Sequence, residues 1–270
     1  MRETANTVHF RAMELIRSRR LILAAFAAAL VLVATAAALL SQRRAPPACA
    51  EHEFEGARFL VCAFDARHHD LRLASRGASG AYLRSFEALA AELGPGAHVR
   101  FAMNGGMYND RGAPIGLYIE DGEEQHPLRL TDGPGNFHMK PNGVFWQGMD
   151  GALHVDRSET FAATRPSARW ATQSGPMLVI DGALHPRFAP DGESRFIRNG
   201  VGVRDAHTAY FVISRSVVSF GKFARFFRDA LHCRDALFLD GAVSSLWAPD
   251  RNRSDHLHEL GPMVVALDRD

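Results

Sequence analysis

The stretch that decides the fold is residues 209–240, AYFVISRSVVSFGKFARFFRDALHCRDALFLD. It begins with an apolar segment, 209–213, and ends with another, 236–239, and each has the length and composition of a buried strand. Between them Phe223, Phe226 and Phe227 recur at helical spacing, with Ser219 as the candidate N-cap. A strand, a helix and a strand in this order predict a parallel pair with a right-handed crossover.

A second unit of the same kind lies nearer the N-terminus. Residues 71–74 and 99–103 are predicted strands, and apolar residues at helical spacing fill positions 82 to 93 between them. Ser79 is the candidate N-cap of this helix, and Gly94-Pro95 is its stop signal.

Hairpins fill the middle of the chain. Asp-Gly at 121, 150 and 181 lies beside or between apolar or alternating runs, and this dipeptide suits type I′ turns because both central positions need a positive φ. We therefore expect one α/β domain of mixed α+β character, with a mixed sheet, several antiparallel hairpins and two strand–helix–strand units.

The N-terminus has the pattern of a membrane segment. Residues 21–40 carry no charge, and twenty residues of helix span about 30 Å, the thickness of a bilayer core. Arg17, Arg19 and Arg20 precede the run, so the positive-inside rule places the N-terminus in the cytoplasm and the body outside. We expect a cytoplasmic segment 1–20, a transmembrane signal anchor 21–40, a linker 41–53 and a domain 54–270. A cleaved signal peptide is the alternative.

Composition and charge narrow the function. Hydrophobic residues make up 47% and charged residues 23% of the 270 residues, which is ordinary globular composition. The net charge is +1, but residues 1–44 hold seven Arg and two Glu, which leaves residues 45–270 with 24 basic and 28 acidic groups, net −4. A mildly acidic body lacks the basic face of a nucleic-acid-binding protein.

Two of the three cysteines are predicted to face each other. Residues 50–61 have the pattern of a hairpin turning at Glu55-Gly56, and in that register Cys49 lies opposite Cys62. Opposed Cβ atoms on neighbouring strands are close enough for a disulfide, which an export compartment permits. A Cys62–Cys233 bond is the rival pairing.

Polar residues follow the last strand of each crossover unit. Residues 99–103 run into Asn104, Gly105 and Gly106, and residues 236–239 run into Asp240, Gly241, Ser244 and Ser245. Ligands bind outside the carboxyl ends of parallel strands, and glycine lets the backbone approach them closely. We expect the two loops to share one cleft, although a plain turn explains either loop taken alone.

Four further loops are rich in polar residues. They are 135–143 with Asn142, 173–176 with Ser174, 185–188 with His185, and 195–200 with Arg198. Ordinary turn chemistry and surface ion pairs are the alternative explanation for each. No metal-binding spacing, P-loop, dinucleotide fingerprint or GxSxG elbow is present, so no cofactor is expected; a divalent ion at Asp240 stays open.

Five strings together resemble the phosphodiester glycosidase family. They are FAMNGGMYNDRGAPIGLYIEDG (101–122), GNFHMKPNGVFW (135–146), ATQSGPMLVIDGALHPRF (171–188), IRNGVGV (197–203) and ALFLDGAVSSLW (236–247). The resemblance covers about residues 54–267. It implies a hydrolase that cleaves the glycosidic bond of a sugar-1-phosphodiester such as an N-acetylglucosamine derivative. Together with the anchor predicted at residues 21–40, this gives an exported bacterial enzyme held in the inner membrane that acts on envelope glycans or glycolipids.

The resemblance also implies roles for residues. The reaction passes through an oxocarbenium-like state, so a carboxylate is needed beneath the anomeric carbon, and Asp240 is the candidate base or nucleophile. Arg198 is the candidate phosphate clamp, because its planar fork holds phosphate in a bidentate way. The candidate substrate-binding residues are Asn104, Gly105, Gly106, Asn142, Ser174, His185, Gly241, Ser244 and Ser245. Two other hypotheses stay open: a carbohydrate-binding module without turnover, and a structural envelope protein.

Overall fold

The computed structural model describes residues 47–269. Within that range seventeen strands and three α-helices form, so strands dominate, and the expected α+β character is confirmed. The strands are β1 (Cys49–Phe54), β2 (Ala57–Asp65), β3 (His69–Ala74), β4 (Val99–Asn104), β5 (Tyr118–Glu120), β6 (Glu123–His126), β7 (Gly143–Gly148), β8 (Leu153–Arg157), β9 (Ala168–Ser174), β10 (Met177–Ile180), β11 (Ala183–Leu184), β12 (Asn199–Asp205), β13 (Thr208–Ser214), β14 (Asp235–Asp240), β15 (Leu246–Ala248), β16 (Arg253–Ser254) and β17 (Met263–Asp268). The helices are α1 (Phe86–Leu93), α2 (Ser158–Thr164) and α3 (Phe220–Arg225), and a π-helical turn, Phe226–Ala230, continues α3.

Three sheets are formed, not one. The first has the order β1-β2-β13-β12-β14-β10-β11, the second β16-β15-β4-β17-β3, and the third β6-β5-β9-β7-β8. Every strand pair in the described residues is antiparallel. The expected parallel pairs are wrong as direct neighbours: β12 lies between β13 and β14, and β17 lies between β3 and β4. Each crossover unit still joins two strands that run in the same direction, with one antiparallel strand between them. In the first sheet this strand is β12, which forms a hairpin with β13, and in the second it is β17 from near the C-terminus.

The hairpins follow the turn residues. β5–β6, β7–β8 and β10–β11 are hairpins around the Asp-Gly pairs at 121, 150 and 181, as predicted. β1 and β2 pair with Cys49 opposite Cys62, and a disulfide joins the two cysteines, while Cys233 is a free, buried thiol. Residues 49–53, which the sequence assigned to a linker, therefore belong to the first sheet.

The helix caps match the prediction at one helix and differ at the other. Ser219 caps α3, and its Oγ accepts from the Lys222 N–H at 3.1 Å. In α1 the N-cap is Ser85, whose Oγ accepts from the Ala88 N–H at 3.1 Å, and not Ser79. The reason is local: Arg84 has a φ of 60°, a left-handed conformation that stops the helix from extending back to residue 79.

The main core lies where the three sheets meet. Phe211 of the first sheet packs against Phe101 of the second, with ring centroids 5.2 Å apart, and against Phe145 of the third at 5.6 Å. The opposite face of the first sheet is covered by α3 and by the π-helical turn that continues it, where Phe59 stacks on Phe226 with ring centroids 4.0 Å apart. Burial on both faces explains why β2 has an almost unbroken apolar sequence.

No helix within residues 47–269 is long and apolar enough to cross a membrane. The predicted anchor at 21–40, the cytoplasmic segment 1–20 and the first part of the linker lie outside the described residues.

Candidate functional site

Three strand ends bring the predicted loops together. β4 ends at Asn104, β12 begins at Asn199, and β14 ends at Asp240, which pairs with Asn199. The Asn199 Oδ1 accepts from the Asp240 backbone N–H at 2.9 Å, while its Nδ2 donates to Asn104 Oδ1 at 2.8 Å and to the Asn104 carbonyl at 3.0 Å. Asn104 and Asp240 are thus joined through one side chain, that of Asn199.

Two serines close the loop that follows Asp240. The Ser244 Oγ donates to the Asp240 carbonyl at 2.8 Å, and the Ser245 N–H donates to Asn104 Oδ1 at 2.8 Å. Both candidate serines therefore belong to the Asn104–Asn199–Asp240 network. Their hydroxyl and amide groups fix the backbone, which leaves Gly241, Ala242 and Val243 to form the rim around the Asp240 carboxylate.

The Asp240 carboxylate is nearly enclosed. The residue is 7% exposed, and its Oδ1 accepts from the Ala242 N–H at 2.8 Å. Burial raises the pKa of Asp240, and the N–H groups of the following loop and the charge of His258 oppose that rise. Within residues 47–269 no arginine, lysine or histidine forms an ion pair with Asp240. Tyr108 is close enough that the Asp240 charge adds to the effect of burial in raising the pKa of its phenol.

Arg198 is a buried cation next to the same loop. It is 1% exposed, its Nε donates to the Val218 carbonyl at 3.0 Å, and its Nη2 donates to the Ser194 carbonyl at 2.9 Å. The guanidinium lies on the Phe220 ring, 3.5 Å from the centroid. Burial lowers its pKa to about 10, so it stays protonated at neutral pH.

No carboxylate of the described chain pairs with Arg198. Its Nη1 lies 3.7 Å from the position that a Cβ on Gly241 would take, so the cation borders the Asp240 loop without contacting the carboxylate. A buried charge without a counter-ion costs several kcal/mol, of order 3 to 5 when one partner of a pair is removed. This position is therefore suited to an anion brought by a ligand.

The third sheet contacts the site through β9. The Thr172 Oγ1 donates to the Gly105 carbonyl at 2.9 Å. A Cβ on Gly106 would lie only 2.8 Å from Thr172 Oγ1, so the close approach of β9 requires glycine at position 106. The Ser174 Oγ donates at 2.9 Å to the carbonyl of Leu239, directly before Asp240. Thr172 and Ser174 of β9 thus support the two loops from one side, and Gly105 and Gly106 are the residues of the first loop that β9 approaches.

Asn142 and His185 lie further out. The Asn142 Nδ2 donates to the Phe137 carbonyl at 2.9 Å, and the His185 ring stacks on Phe188, which stacks on the Phe220 ring that carries Arg198. Neither candidate hydrogen-bonds to the Asn104–Asn199–Asp240 network in the described structure. Burial lowers the pKa of His185.

Three candidate residues have buried polar atoms that lack a hydrogen-bond partner. Among the described residues six buried side-chain atoms make no hydrogen bond, and three of them are Asn104 Nδ2, Asn142 Oδ1 and His185 Nε2. Such atoms are rare in folded proteins, and each one offers a donor or an acceptor to a ligand.

Sequence reasoning did not single out Asn199, Thr172, Tyr108, Ser194 or Phe220 as site residues. Asn199 lies inside the string 197–203, directly after the candidate Arg198, and this proximity is the signal that could have identified it. Its role follows only from the pairing of β12 with β14. No group of three or more His, Cys, Asp or Glu side chains in residues 47–269 is arranged to hold a metal ion.

Sequence comparisons agree with this geometry. The family model for phosphodiester glycosidase matches residues 97–259, which include every candidate active-site residue. The uncharacterized protein YigE of Escherichia coli (strain K12) is 37% identical over 170 residues, which are 63% of this chain and 66% of that protein. The chain thus spans just under two thirds of the length of this relative.

Solved structures share the fold. The catalytic domain of zebrafish N-acetylglucosamine-1-phosphodiester alpha-N-acetylglucosaminidase, auto-inhibited by its pro-peptide, superposes with a TM-score of 0.57 at 13% identity, over 84% of this chain and 85% of that one. A hypothetical protein from Synechocystis gives 0.52 at 13% identity, over 82% and 61% of the two chains. A putative exported protein from Burkholderia pseudomallei K96243 gives 0.50 at 14% identity, over 79% and 74%.

Proposed function

The chain belongs to the phosphodiester glycosidase family, and we propose that it hydrolyses the glycosidic bond of a sugar-1-phosphodiester. The zebrafish enzyme that shares its fold is named for N-acetylglucosamine-1-phosphodiester. We take that sugar as the first one to test for this chain. The natural substrates we propose are phosphodiester-linked sugars of envelope glycans or glycolipids.

The observation that carries the proposal is the buried, unpaired guanidinium of Arg198 beside the Asp240 loop. Cleavage of the anomeric C–O bond releases a phosphate monoester, whose second pKa is about 6, as for phosphorylated side chains. The leaving group therefore departs as an anion at neutral pH and needs little help from a general acid. A guanidinium held away from water stabilises that anion more strongly than an exposed one would.

Asp240 supplies the opposite charge. The anomeric carbon becomes positive in the transition state, and a carboxylate held by the N–H groups of the following loop stabilises it as a nucleophile, or activates water as a base. The loops of Asn104, Gly105, Gly106, Gly241 and Ser244 surround this position and bind sugar hydroxyls or phosphate oxygens in the proposal.

The remaining candidates have two roles in the proposal. Ser174 and Ser245 support the loops through their hydrogen bonds to the Leu239 carbonyl and to Asn104, and Asn142 and His185 offer buried polar atoms without a partner to the substrate. These residues need no metal or organic cofactor for the reaction as written.

We place the activity outside the cytoplasmic membrane. The charge pattern of residues 1–44 supports an N-terminus in the cytoplasm, an anchor at 21–40 and a body in the periplasm. The Cys49–Cys62 disulfide fits an oxidising compartment. Protease added to spheroplasts is expected to digest the body and to spare it in intact cells; a body protected in both would contradict this placement.

The activity has a direct test. The purified chain is incubated with the methyl diester of N-acetylglucosamine-1-phosphate, and release of the free sugar is measured. The Asp240→Asn variant is expected to lose at least about a hundredfold in kcat, the contribution of a catalytic acid–base group. Asp235→Asn, at the other end of β14, is the matched control and should keep its activity. Binding of the diester without turnover in the wild type would instead favour a non-catalytic carbohydrate-binding protein.

A further inference from the structure

The large apolar side chains that are exposed gather at the end of the domain that holds the site. Within residues 47–269 there are five of them, and four lie in loops at this end: Leu130, Phe196, Val217 and Leu257. Leu257 is 83% exposed, and Phe196 and Val217 are more than half exposed. Single exposed apolar residues are common in soluble proteins, so their location decides what they mean.

Two of the four leave the first sheet beside the catalytic candidate. Asp240 ends β14 and pairs with Asn199 at the start of β12, and Asn199 pairs in turn with Ile213 near the end of β13. The loop that precedes β12 carries Phe196, and the loop that follows β13 carries Val217. Two backbone hydrogen bonds join these two loops to each other. Both apolar side chains therefore lie at the strand ends that form the site.

Leu257 lies at the same end of the second sheet. Its loop, residues 255–262, precedes β17, and the first residue of that strand, Met263, pairs with Asn104. The charge of the neighbouring His258 acts on the Asp240 carboxylate, which agrees with this placement. The loop that carries Leu257 therefore borders the site from the second sheet.

Leu130 lies at the same end of the third sheet. Its neighbour Arg129 is held by Gln173 near the end of β9, whose Nε2 donates to the Arg129 carbonyl at 2.7 Å. The fifth exposed side chain, Met149, lies in the β7–β8 turn near the start of β9, next to Asp150. Because β9 has seven residues, the two ends are about 20 Å apart. The apolar side chains thus favour the end of the domain that holds the site.

Basic side chains accompany the four apolar ones. Their exposed neighbours, in the same order, are Arg129, Arg195, Arg215 and the pair His256 and His258. Arg215 pairs with Glu51, while Arg129 and Arg195 form no ion pair within residues 47–269. Apolar side chains accompanied by arginines suit the surface of an anionic bilayer, where the acyl boundary takes the apolar groups and the lipid phosphates take the cations.

The chain that precedes the described residues favours lipid over a protein partner. Residues 21–40 have the pattern of a bilayer anchor, and only residues 41–46 separate that run from Pro47. Six residues span at most about 22 Å when fully extended. A domain that follows such an anchor is kept close to lipid, so a weak contact of its loops with the bilayer needs no search through solution.

We propose that the end of the domain that holds the site rests on the surface of an anionic bilayer, with Phe196, Val217 and Leu257 among the headgroups. For its substrate the inference rests on the proposed function and makes it narrower. A bilayer at this end presents its own headgroup layer to Arg198 and Asp240, so the sugar-1-phosphodiester is that of a glycolipid and not of a soluble glycan.

The contact is tested with the full chain in vesicles of phosphatidylcholine and phosphatidylglycerol in equal parts. An environment-sensitive fluorophore is attached to Leu257→Cys, and to Met149→Cys as the control at the opposite end of the domain. The native Cys233 is buried and the other two cysteines are joined, so the label goes to the introduced thiol. Lipids that carry a nitroxide quencher near the headgroup are expected to remove most of the fluorescence at position 257 and to leave that at position 149 unchanged.

The substrate is tested with two diesters of N-acetylglucosamine-1-phosphate. One carries diacylglycerol and stays in the vesicle, and the other carries methanol and stays in water. The double variant Val217→Ser, Leu257→Ser is expected to lose about tenfold in kcat/KM for the glycolipid, because two apolar side chains no longer hold the site against the bilayer, and to keep its value for the methyl diester. Met149→Ser, the matched control, should keep both values.

The outcomes separate this inference from the proposed function. Equal fluorescence at position 257 with and without the quencher overturns the bilayer contact, and hydrolysis of the methyl diester then still supports the proposed function. A blue shift at position 257 without quenching by lipid means that a protein or a second copy covers the loop, which also overturns it. Quenching with unchanged glycolipid turnover in the double variant overturns the choice of substrate. If neither diester is hydrolysed, the proposed function fails, and the quenching alone decides the bilayer contact.

Discussion

Replacement of Asn199 by Ala removes the side chain that joins the two halves of the site. Asn199 is fully buried and makes hydrogen bonds of 2.9, 2.8 and 3.0 Å to the Asp240 N–H and to the Asn104 side chain and carbonyl. The alanine variant loses all three. It also leaves the Asp240 N–H buried without an acceptor.

The cost follows from these contacts. A buried hydrogen bond contributes about 1 kcal/mol net, and a buried donor left without a partner costs about 1 to 3 kcal/mol. Asn104 Oδ1 still accepts from the Ser245 N–H in the variant, so this oxygen loses only one of its two hydrogen bonds. We expect the free energy of unfolding to fall by about 3 kcal/mol, which lowers the Tm by roughly 6 to 12 °C in a domain of this size.

Urea unfolding and the hydrolysis assay report the two consequences together. Asn199→Asp is the informative companion, because it keeps an acceptor for the Asp240 N–H but cannot donate to Asn104 when ionised. Its carboxylate is buried beside another acceptor, so its pKa should rise, and the variant should regain stability as the pH falls and the added proton becomes a donor. An alanine variant as stable and active as the wild type would refute the idea that Asn199 holds the site together.

Three further predictions follow from single features. Replacing Cys49 and Cys62 together by Ala removes a disulfide between residues 13 apart and should lower the free energy of unfolding by about 3 kcal/mol, measured by urea unfolding under non-reducing conditions. An unchanged urea midpoint would show that the disulfide does not stabilise the domain. Asp240→Asn should be more stable than the wild type at pH 7, because burial raises the pKa of Asp240 in the folded state and the wild type loses stability as the pH rises from the unfolded pKa to the folded one. In urea titrations at a series of pH values the gain in the free energy of unfolding should vanish below about pH 4, and equal stability of the two proteins at all pH values would contradict this prediction. Arg198→Lys keeps the charge but loses the fork that reaches Val218 and Ser194, so inhibition by inorganic phosphate should weaken by about tenfold, and an unchanged inhibition constant would remove Arg198 from phosphate binding.

Local chemistry made much of the fold predictable. The turn at Glu55-Gly56 fixed the register that places Cys49 opposite Cys62, because in a two-residue hairpin the partners follow from counting. Ser219 was found from its position before a helical pattern. The cap of α1 was misplaced, because the left-handed conformation of Arg84 leaves no trace in the apolar spacing.

The long-range pairing of strands could not be predicted from the sequence. β17 enters between β3 and β4 from near the C-terminus, and β12, the hairpin partner of β13, pairs on its other side with β14; no local pattern predicts either pairing. The role of Asn199 depends on the second of these, since only the pairing of β12 with β14 sets it beside Asp240. The two loops were therefore predictable as neighbours, but the residue that joins them was not.

The central claim is that one substrate spans Asp240 and Arg198. It is tested most directly by a crystal structure of the Asp240→Asn variant with an uncleaved sugar-1-phosphodiester. We expect the anomeric carbon to face residue 240 and a phosphate oxygen to lie within hydrogen-bond distance of the Arg198 guanidinium. A diester bound with its phosphate away from Arg198, or on another face of the domain, would contradict the claim.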